Sequence, residues 1–107
     1  MSIDTLTTIE IADRVASRSL HVADVVEHFL GVSRERTGLN ALTYLAEDEA
    51  RRAAEELDAT LVTTGSPGRL AGVPIVVKDA ICTRDLPTTS GSRILQRRDG
   101  DRWIPWR

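Results

Sequence analysis

An apolar run, Val73–Val77, is the feature that most limits how this chain can fold. Apolar and polar residues do not alternate within it, which is typical of a strand buried on both faces of a sheet. We expect Pro74 at the entry of that strand, because proline has no N–H to donate to a neighbouring strand. Such a strand needs neighbouring strands, and the sequence offers few. The sheet is therefore expected to be incomplete in this chain.

Three helices are predicted from apolar residues that recur at helical spacing. The first follows a cap at Thr7 or Thr8, whose hydroxyl would bind free backbone amides. The second begins at Val22, and we expect Gly38 to end it in a left-handed conformation. The third spans Glu47–Leu61. The positions expected to face the core are Ile9, Ala12 and Ala16 in the first helix, Val22, Val25, Val26, Phe29 and Leu30 in the second, and Ala50, Ala53, Leu57 and Leu61 in the third.

A second short strand is predicted over Leu39–Leu45, where the β-forming residues Leu42, Thr43 and Tyr44 interrupt a helical neighbourhood. Taken with the three helices and the apolar run, this strand predicts an α/β fold. Within the third helix, ion pairs at i, i+4 spacing are expected between Glu47 and Arg51 and between Asp48 and Arg52.

Composition narrows the class of protein. The 107 residues suffice for one small domain, and 41% apolar with 28% charged residues is ordinary for a soluble globular protein. The formal charge of −2 gives no sign of a nucleic-acid-binding face. A single cysteine excludes an internal disulfide and, with only two histidines, argues against a structural zinc site. No apolar run could span a bilayer and no secretory signal is evident, so we expect a cytoplasmic protein.

Lys78 is the only lysine among 14 basic residues, and it directly follows the apolar run. Burial at a strand end would disfavour its ammonium form. A desolvated amine can lose and regain a proton, whereas a guanidinium stays protonated. The pattern makes Lys78 a candidate general base. The alternative is a structural lysine at the strand end, paired with Asp79 or another neighbour.

The segment Gly68–Ile81, with the sequence GRLAGVPIVVKDAI, resembles the start of the conserved core of the amidase signature family. Cys82–Arg84 and Pro87–Leu95 look like its continuation, and weaker similarity extends upstream over Ser19–Arg36 and Leu39–Asp58. Within the family, the A subunits of aspartyl/glutamyl-tRNA amidotransferases are most similar, and general amidases are close behind. The resemblance implies a mixed sheet covered by helices, of which this chain would hold the first strands.

The resemblance also implies a chemistry. In this family a lysine at the position of Lys78 accepts a proton through a bridging serine, held on a cis peptide, and so activates a nucleophilic serine that attacks an amide carbonyl. Glutamine would be the substrate in the amidotransferase branch, and its ammonia would pass to a partner subunit that uses ATP. We expect no cofactor or metal in this chain itself, and other amidotransferase subunits as its partners. Nucleic acid and membrane are not expected to bind it directly.

Neither of the two catalytic serines is found at a matching position. Ser90 and Ser92 align between the lysine and the bridging serine, and we expect them to shape a turn. The chain alone is therefore predicted to be inactive. Two alternatives stay open: a small non-catalytic module that binds a partner, and a self-sufficient miniature hydrolase.

The resemblance ends near residue 95, so residues 1–95 are interpreted as the N-terminal part of an amidase domain and 96–107 as an unrelated tail. The tail holds both tryptophans, Trp103 and Trp106, and four of the thirteen arginines. A frameshift or premature stop would explain this change in composition. An aromatic anchor for a partner is the competing interpretation.

Three further residues carry smaller expectations. Asp85 stands where the family usually has a glycine, and His21 stands where a serine or threonine cap would be natural. Cys82 is expected to be a buried or half-buried spectator rather than a reactive thiol.

Overall fold

A computed structural model describes residues 2–84 and 86–96. The helices are α1 (Thr8–Ala16), α2 (Val22–Glu35), α3 (Glu47–Thr63) and α4 (Arg93–Gln96), with short 3-10 turns at Ile3–Thr5 and Thr37–Leu39. Over these described residues there is no strand. The strands predicted at 39–45 and 73–77 are therefore wrong for this chain as it stands. A strand exists only when paired, and neither segment finds a pairing partner among the described residues.

Helix α1 begins with a capping box, which confirms the predicted cap at Thr7. The Thr7 hydroxyl accepts a hydrogen bond from the Glu10 amide (3.3 Å), and the Glu10 carboxylate accepts one from the Thr7 amide (2.7 Å). The predicted buried face was only partly right, since Ala12 is buried but Ile9 is 71% exposed. Ile11 and Val15 face the core instead, because this i, i+4 pair of branched residues buries more apolar area than a face with two alanines.

Helix α2 confirms the predicted apolar stripe. Val22, Val25 and Leu30 are buried, and Val26 and Phe29 pack against the core from partly buried positions. On the edge of this stripe, His28 Nε2 lies 2.7 Å from Asp4 Oδ1, which connects the N-terminal turn to the helix. Through this stripe, α2 packs against apolar residues of both α1 and α3.

The start of α2 is capped by another helix. His21 occupies the cap position but its side chain makes no capping hydrogen bond. The carboxylate of Asp58, on α3, accepts hydrogen bonds from the amides of Val22 (2.9 Å) and Ala23 (3.1 Å). A carboxylate at this point satisfies two amides that lack helical partners and favours the positive end of the helix dipole.

Helix α3 packs along α2 and is fixed to it by charged side chains. Ala54 and Leu61 are buried and Leu57 packs beside them, whereas the predicted Ala53 faces solvent. Arg34 binds Glu47 through two hydrogen bonds (2.8 and 2.9 Å). These contacts connect the C-terminal half of α2 to the first turn of α3.

Arg51 is the centre of a second charged group on the same face. It binds Glu27 of α2 and lies 3.5 Å from Glu47, which confirms the predicted i, i+4 pair. Asp48 lies 3.6 Å from Arg51 rather than pairing with Arg52, so the second predicted pair is wrong. Arg51 can reach three carboxylates because it points toward α2, which a spacing rule for one helix does not consider.

The end of α2 differs from the prediction. The helix stops at Glu35, and Gly38 lies in the following 3-10 turn without a positive φ. Asn40 adopts the left-handed conformation instead, with φ of 50°. Asparagine tolerates this region better than most residues because its short polar side chain can bond locally.

The core lies between α1, α2 and α3. Val15 and Val25 are its two fully buried side chains, and the apolar residues Leu6, Leu20 and Val73 pack against it from outside the helices. No helix in the described part of the chain has the length and apolar character needed to cross a membrane.

Replacing Asp58 tests the cap between helices. We expect Asp58→Ala to lower the free energy of unfolding by about 0.5–2 kcal/mol, the usual effect of removing a side-chain cap. The measurement is urea unfolding followed by the helical circular dichroism signal. Glu55→Ala, an exposed change on the same helix, is the matched control. Equal midpoints for the two variants would show that Asp58 contributes no capping energy.

Candidate functional site

The segment that leads to Lys78 is anchored on the helical layer at Gly72. Its φ of 83° lies in the region that favours glycine, and a Cβ there would stand 2.8 Å from Val15 Cγ1. No side chain fits in that space without displacing a fully buried valine. The next residue, Val73, packs against the core, and its amide donates to the Leu70 carbonyl (3.1 Å). The backbone therefore leaves the helical layer from a fixed point.

Beyond Val73 the apolar run turns to solvent. Ile75 is 77% exposed and Val76 is 79% exposed, although the sequence predicted burial on both faces. The prediction failed because burial needs a neighbouring strand on each side, and no described residue supplies one. The run is thus apolar and uncovered in this chain.

Lys78 is exposed at the end of this run. The desolvation expected for a base is absent here, since the apolar residues before it are themselves in water. The alternative pairing with Asp79 is not observed either, because the Asp79 carboxylate is engaged elsewhere, and Lys78 forms no ion pair with any residue that the structure describes. The backbone around Lys78 is ordered locally, with its carbonyl accepting from the Ile81 amide (2.9 Å).

Asp79 binds a turn ten residues further along the chain. Its carboxylate accepts hydrogen bonds from the Thr89 amide (2.7 Å), the Thr89 hydroxyl and the Gly91 amide (3.2 Å). Its backbone carbonyl accepts from the Ser90 amide (3.0 Å). Thr89 is 5% exposed, the one buried polar residue in the described part of the chain. We call Asp79, Thr89 and Gly91 the aspartate clamp.

The clamp changes the acidity of Asp79. The Thr89 hydroxyl and amide, together with the Gly91 amide, hold the pKa of the Asp79 carboxyl below its usual 3.8 because each donates to the ionised form. Partial burial opposes this shift but is outweighed. The clamp is therefore fully formed at neutral pH, and the residue beside Lys78 is held by charge-assisted hydrogen bonds.

Ser90 and Ser92 shape a turn, as predicted. Ser90 and Gly91 have positive φ values of 49° and 72°, and the Ser92 amide donates to the Thr89 carbonyl (2.8 Å). Sequence reasoning identified the turn but missed its partner. The available signal was the aspartate directly after Lys78, because carboxylates commonly bind the free amides of turns rich in Ser, Thr and Gly.

A shallow depression lies beside Lys78, formed where residues 43–44 approach residues 77–83 and 86–87. Its volume of about 40 Å³ holds one or two water molecules, far below the few hundred Å³ of a substrate pocket. Tyr44 lies on its edge, and the Tyr44 hydroxyl donates to Glu49 (3.0 Å). The described residues alone do not enclose a substrate.

The remaining candidates do not join this site. Cys82 is exposed, which corrects the expected burial, because the strand context that would have covered it is not formed. His21 lies 4.0 Å from Asp58, and the described residues contain no group of three or more His, Cys, Asp or Glu side chains placed to hold a metal ion. Asp85, Trp103 and Trp106 lie outside the described residues.

Comparison with known proteins identifies the class. The family described as Amidase matches residues 24–101, which include most of α2, all of α3, Lys78 and the aspartate clamp. The chain belongs to the amidase family.

Three individual relatives share the same protein name. The A subunit of a glutamyl-tRNA(Gln) amidotransferase from Rhodopirellula baltica is 36% identical over 88 residues, covering 81% of this chain and 18% of that protein. Its counterpart from Acidothermus cellulolyticus is 36% identical over 100 residues, which cover 92% of this chain and 19% of that protein. The counterpart from Bdellovibrio bacteriovorus is 40% identical over 88 residues, which cover 81% of this chain and 18% of that protein. No solved structure matches.

The chain thus spans about a fifth of the length of the curated relatives it matches. Its family match extends to residue 101, while the predicted boundary after residue 95 remains a prediction, since residues 97–107 are outside those described.

The acid titration of the clamp can be followed at its amides. Because the pKa of Asp79 is lowered on folding, its stabilising contribution is present above 3.8 and is lost as the pH falls through the folded value. We expect the amide proton shifts of Thr89 and Gly91 to stay constant from pH 7 to pH 5 and to change below pH 3.8.

In Asp79→Asn this inflection should vanish, and both amides should exchange with solvent faster at neutral pH. Asp13→Asn, an exposed change on α1, is the control and should leave both amides unchanged. Persistence of the inflection in Asp79→Asn would show that another group binds these amides.

Proposed function

We propose that this chain supplies the lysine-bearing front part of an enzyme that cleaves an amide bond, with Lys78 as the proton acceptor. The observation that carries the proposal is the family match over residues 24–101, within which Lys78 is the only lysine. Lys78 directly follows residues 73–77, a run that resembles the strand leading to the catalytic lysine of the family. An amine suits this role because it titrates, which a guanidinium does not.

The reaction would follow the serine–serine–lysine scheme that the resemblance implies. Lys78 takes a proton from a bridging serine, which in turn deprotonates the serine that attacks the amide carbonyl. The proton then returns from Lys78 through the bridging serine to the amide nitrogen, the C–N bond breaks, ammonia leaves, and the resulting acyl-enzyme is hydrolysed by water. Both serines would have to come from amidase sequence that this chain does not match, so we expect no turnover by the chain alone.

The exposure of Lys78 supports this expectation. Lys78 lies in solvent at the end of an uncovered run, without the enclosed surroundings expected of an assembled active site. We propose that pairing of residues 73–77 within a complete amidase sheet buries the run, completes the α/β fold and desolvates Lys78. The aspartate clamp would keep the backbone of residue 79 fixed while this happens.

Relatives named as subunits of glutamyl-tRNA(Gln) amidotransferases favour glutamine as the substrate. Ammonia released at the Lys78 site would be used by a partner subunit, which consumes ATP. Other amidotransferase subunits would be the partners, in the cytoplasm. A general amidase with another small amide substrate is the alternative.

A chimera tests the role of Lys78. Residues 1–95 of this chain would replace the matching segment of the Bdellovibrio bacteriovorus protein, co-produced with the other subunits of that amidotransferase. We expect glutamine-dependent release of ammonia, and a decrease in kcat of about 10²–10⁴-fold in both Lys78→Ala and Lys78→Arg, because neither side chain can act as the base.

Lys78→Arg is the informative variant, because it retains the positive charge and removes only the titration. Arg52→Gln, an exposed change on α3, is the control and should retain the activity. Full activity of Lys78→Arg would exclude Lys78 as the proton acceptor.

A further inference from the structure

The aspartate clamp gathers two features that are unfavourable in a folded chain. Thr89 is buried, at 5% exposure, although it lies outside the apolar core of the helices. Burial of its hydroxyl and amide is tolerated only because both groups donate to Asp79. Ser90, the next residue, has a φ of 49°, a left-handed conformation that is strained for a residue with a Cβ. Strain and buried polar groups retained in one turn point to a specific role.

The clamp is connected directly to the backbone of Lys78. The Lys78 carbonyl accepts a hydrogen bond from the Ile81 amide (2.9 Å), and the next carbonyl, that of Asp79, accepts one from the Ser90 amide (3.0 Å). Two consecutive carbonyls after the Lys78 Cα are therefore held in place. The turn at residues 89–91 thus fixes the point from which the lysine side chain extends.

The clamp also occupies the anion nearest to Lys78 in the sequence. The Asp79 carboxylate accepts three hydrogen bonds from Thr89 and Gly91, and Lys78 forms no ion pair with any residue that the structure describes. The other described titratable group on the depression beside Lys78 is Tyr44, whose hydroxyl donates to Glu49. Each of these groups already has a hydrogen-bond partner other than Lys78.

We infer that Thr89 withholds the Asp79 carboxylate from Lys78, so that the amine is fixed in position without being paired to the neighbouring anion. The inference rests on the proposed function, because a base must be able to exist without its proton. A carboxylate within a few ångström would favour the ammonium form and oppose this. Thr89 and Asp79 are positioning residues in this arrangement, since they act through Lys78 and do not touch the substrate.

Acylation of Lys78 in the full chain tests whether the carboxylate is withheld. Lys78 is the only lysine, and cleavage after Arg69 and Arg84 places it in one peptide whose modification can be counted by mass spectrometry. An N-hydroxysuccinimide ester reacts with the unprotonated amine only. At about pH 8 we expect Thr89→Val to react about two- to fivefold more slowly, the effect of an exposed ion pair on the free amine. Thr89→Ser keeps the hydroxyl and should react at the original rate.

The double variant Asp79→Asn/Thr89→Val identifies the anion. It should regain the original rate, because no carboxylate is left at residue 79 to pair with the ammonium. Thr63→Val is the matched control, since the Thr63 hydroxyl donates only to backbone carbonyls at the end of α3. Its rate should be unchanged. Circular dichroism of each variant verifies that the helices are retained.

The chimera with the Bdellovibrio bacteriovorus protein tests whether this arrangement affects catalysis. We expect Thr89→Val to lower kcat about tenfold or more while KM stays within about twofold, because a misplaced or paired base affects the chemical step rather than substrate binding. Thr89→Ser and Thr63→Val should retain kcat.

Equal acylation rates for Thr89→Val and the original chain would overturn the inference, and so would a slower rate that persists in the double variant. An unchanged kcat in the Thr89→Val chimera, or a change in KM alone, would overturn the positioning role. Failure of the proposed function is distinguishable, since Lys78→Arg would then be fully active in the chimera. The acylation rates of the full chain would still support the separation of Asp79 from Lys78 in that case.

Discussion

The contact between Gly72 and Val15 connects the two halves of this chain. Val15 is fully buried at the centre of the helical layer, and the space over its methyl groups admits only a residue without a Cβ. The positive φ of Gly72 turns the backbone away from the helices at that point. Residues 74–77, Lys78 and the aspartate clamp all follow this attachment in the chain.

Two carboxylates hold the structure in the same way at different places. Asp58 binds the free amides at the start of α2, and Asp79 binds those of the turn at Thr89 and Gly91. The helices themselves could be predicted, because periodicity and the cap at Thr7 are local signals. The partner of Asp58 could not, since it lies 36 residues away and the cap position of α2 holds a histidine without a capping bond. The aspartate clamp was likewise missed, because a carboxylate next to a lysine suggests an ion pair first.

The apolar run shows why a correct pattern can predict the wrong structure. Val73–Val77 has the composition of a strand covered on both faces, but pairing is a property of neighbours that the described residues do not include. The chain belongs to the amidase family, and the family relatives that it matches are about five times as long as this chain. Lys78 was predicted as a base from its composition, its position and the family resemblance, and this role stays a prediction, whereas the exposure of Lys78 could be known only from the structure.

Thermodynamic coupling between Gly72 and Val15 tests most directly whether the functional segment is attached at this contact. Urea unfolding would be compared for Gly72→Ala, Val15→Ala, the double variant and Gly68→Ala, where a Cβ meets open space. We expect Gly72→Ala to lose about 1–3 kcal/mol through crowding and backbone strain, with part of that loss absent in the Val15→Ala background. Gly68→Ala should be close to neutral. Strictly additive effects, or a Gly72→Ala variant as stable as the original chain, would contradict the attachment.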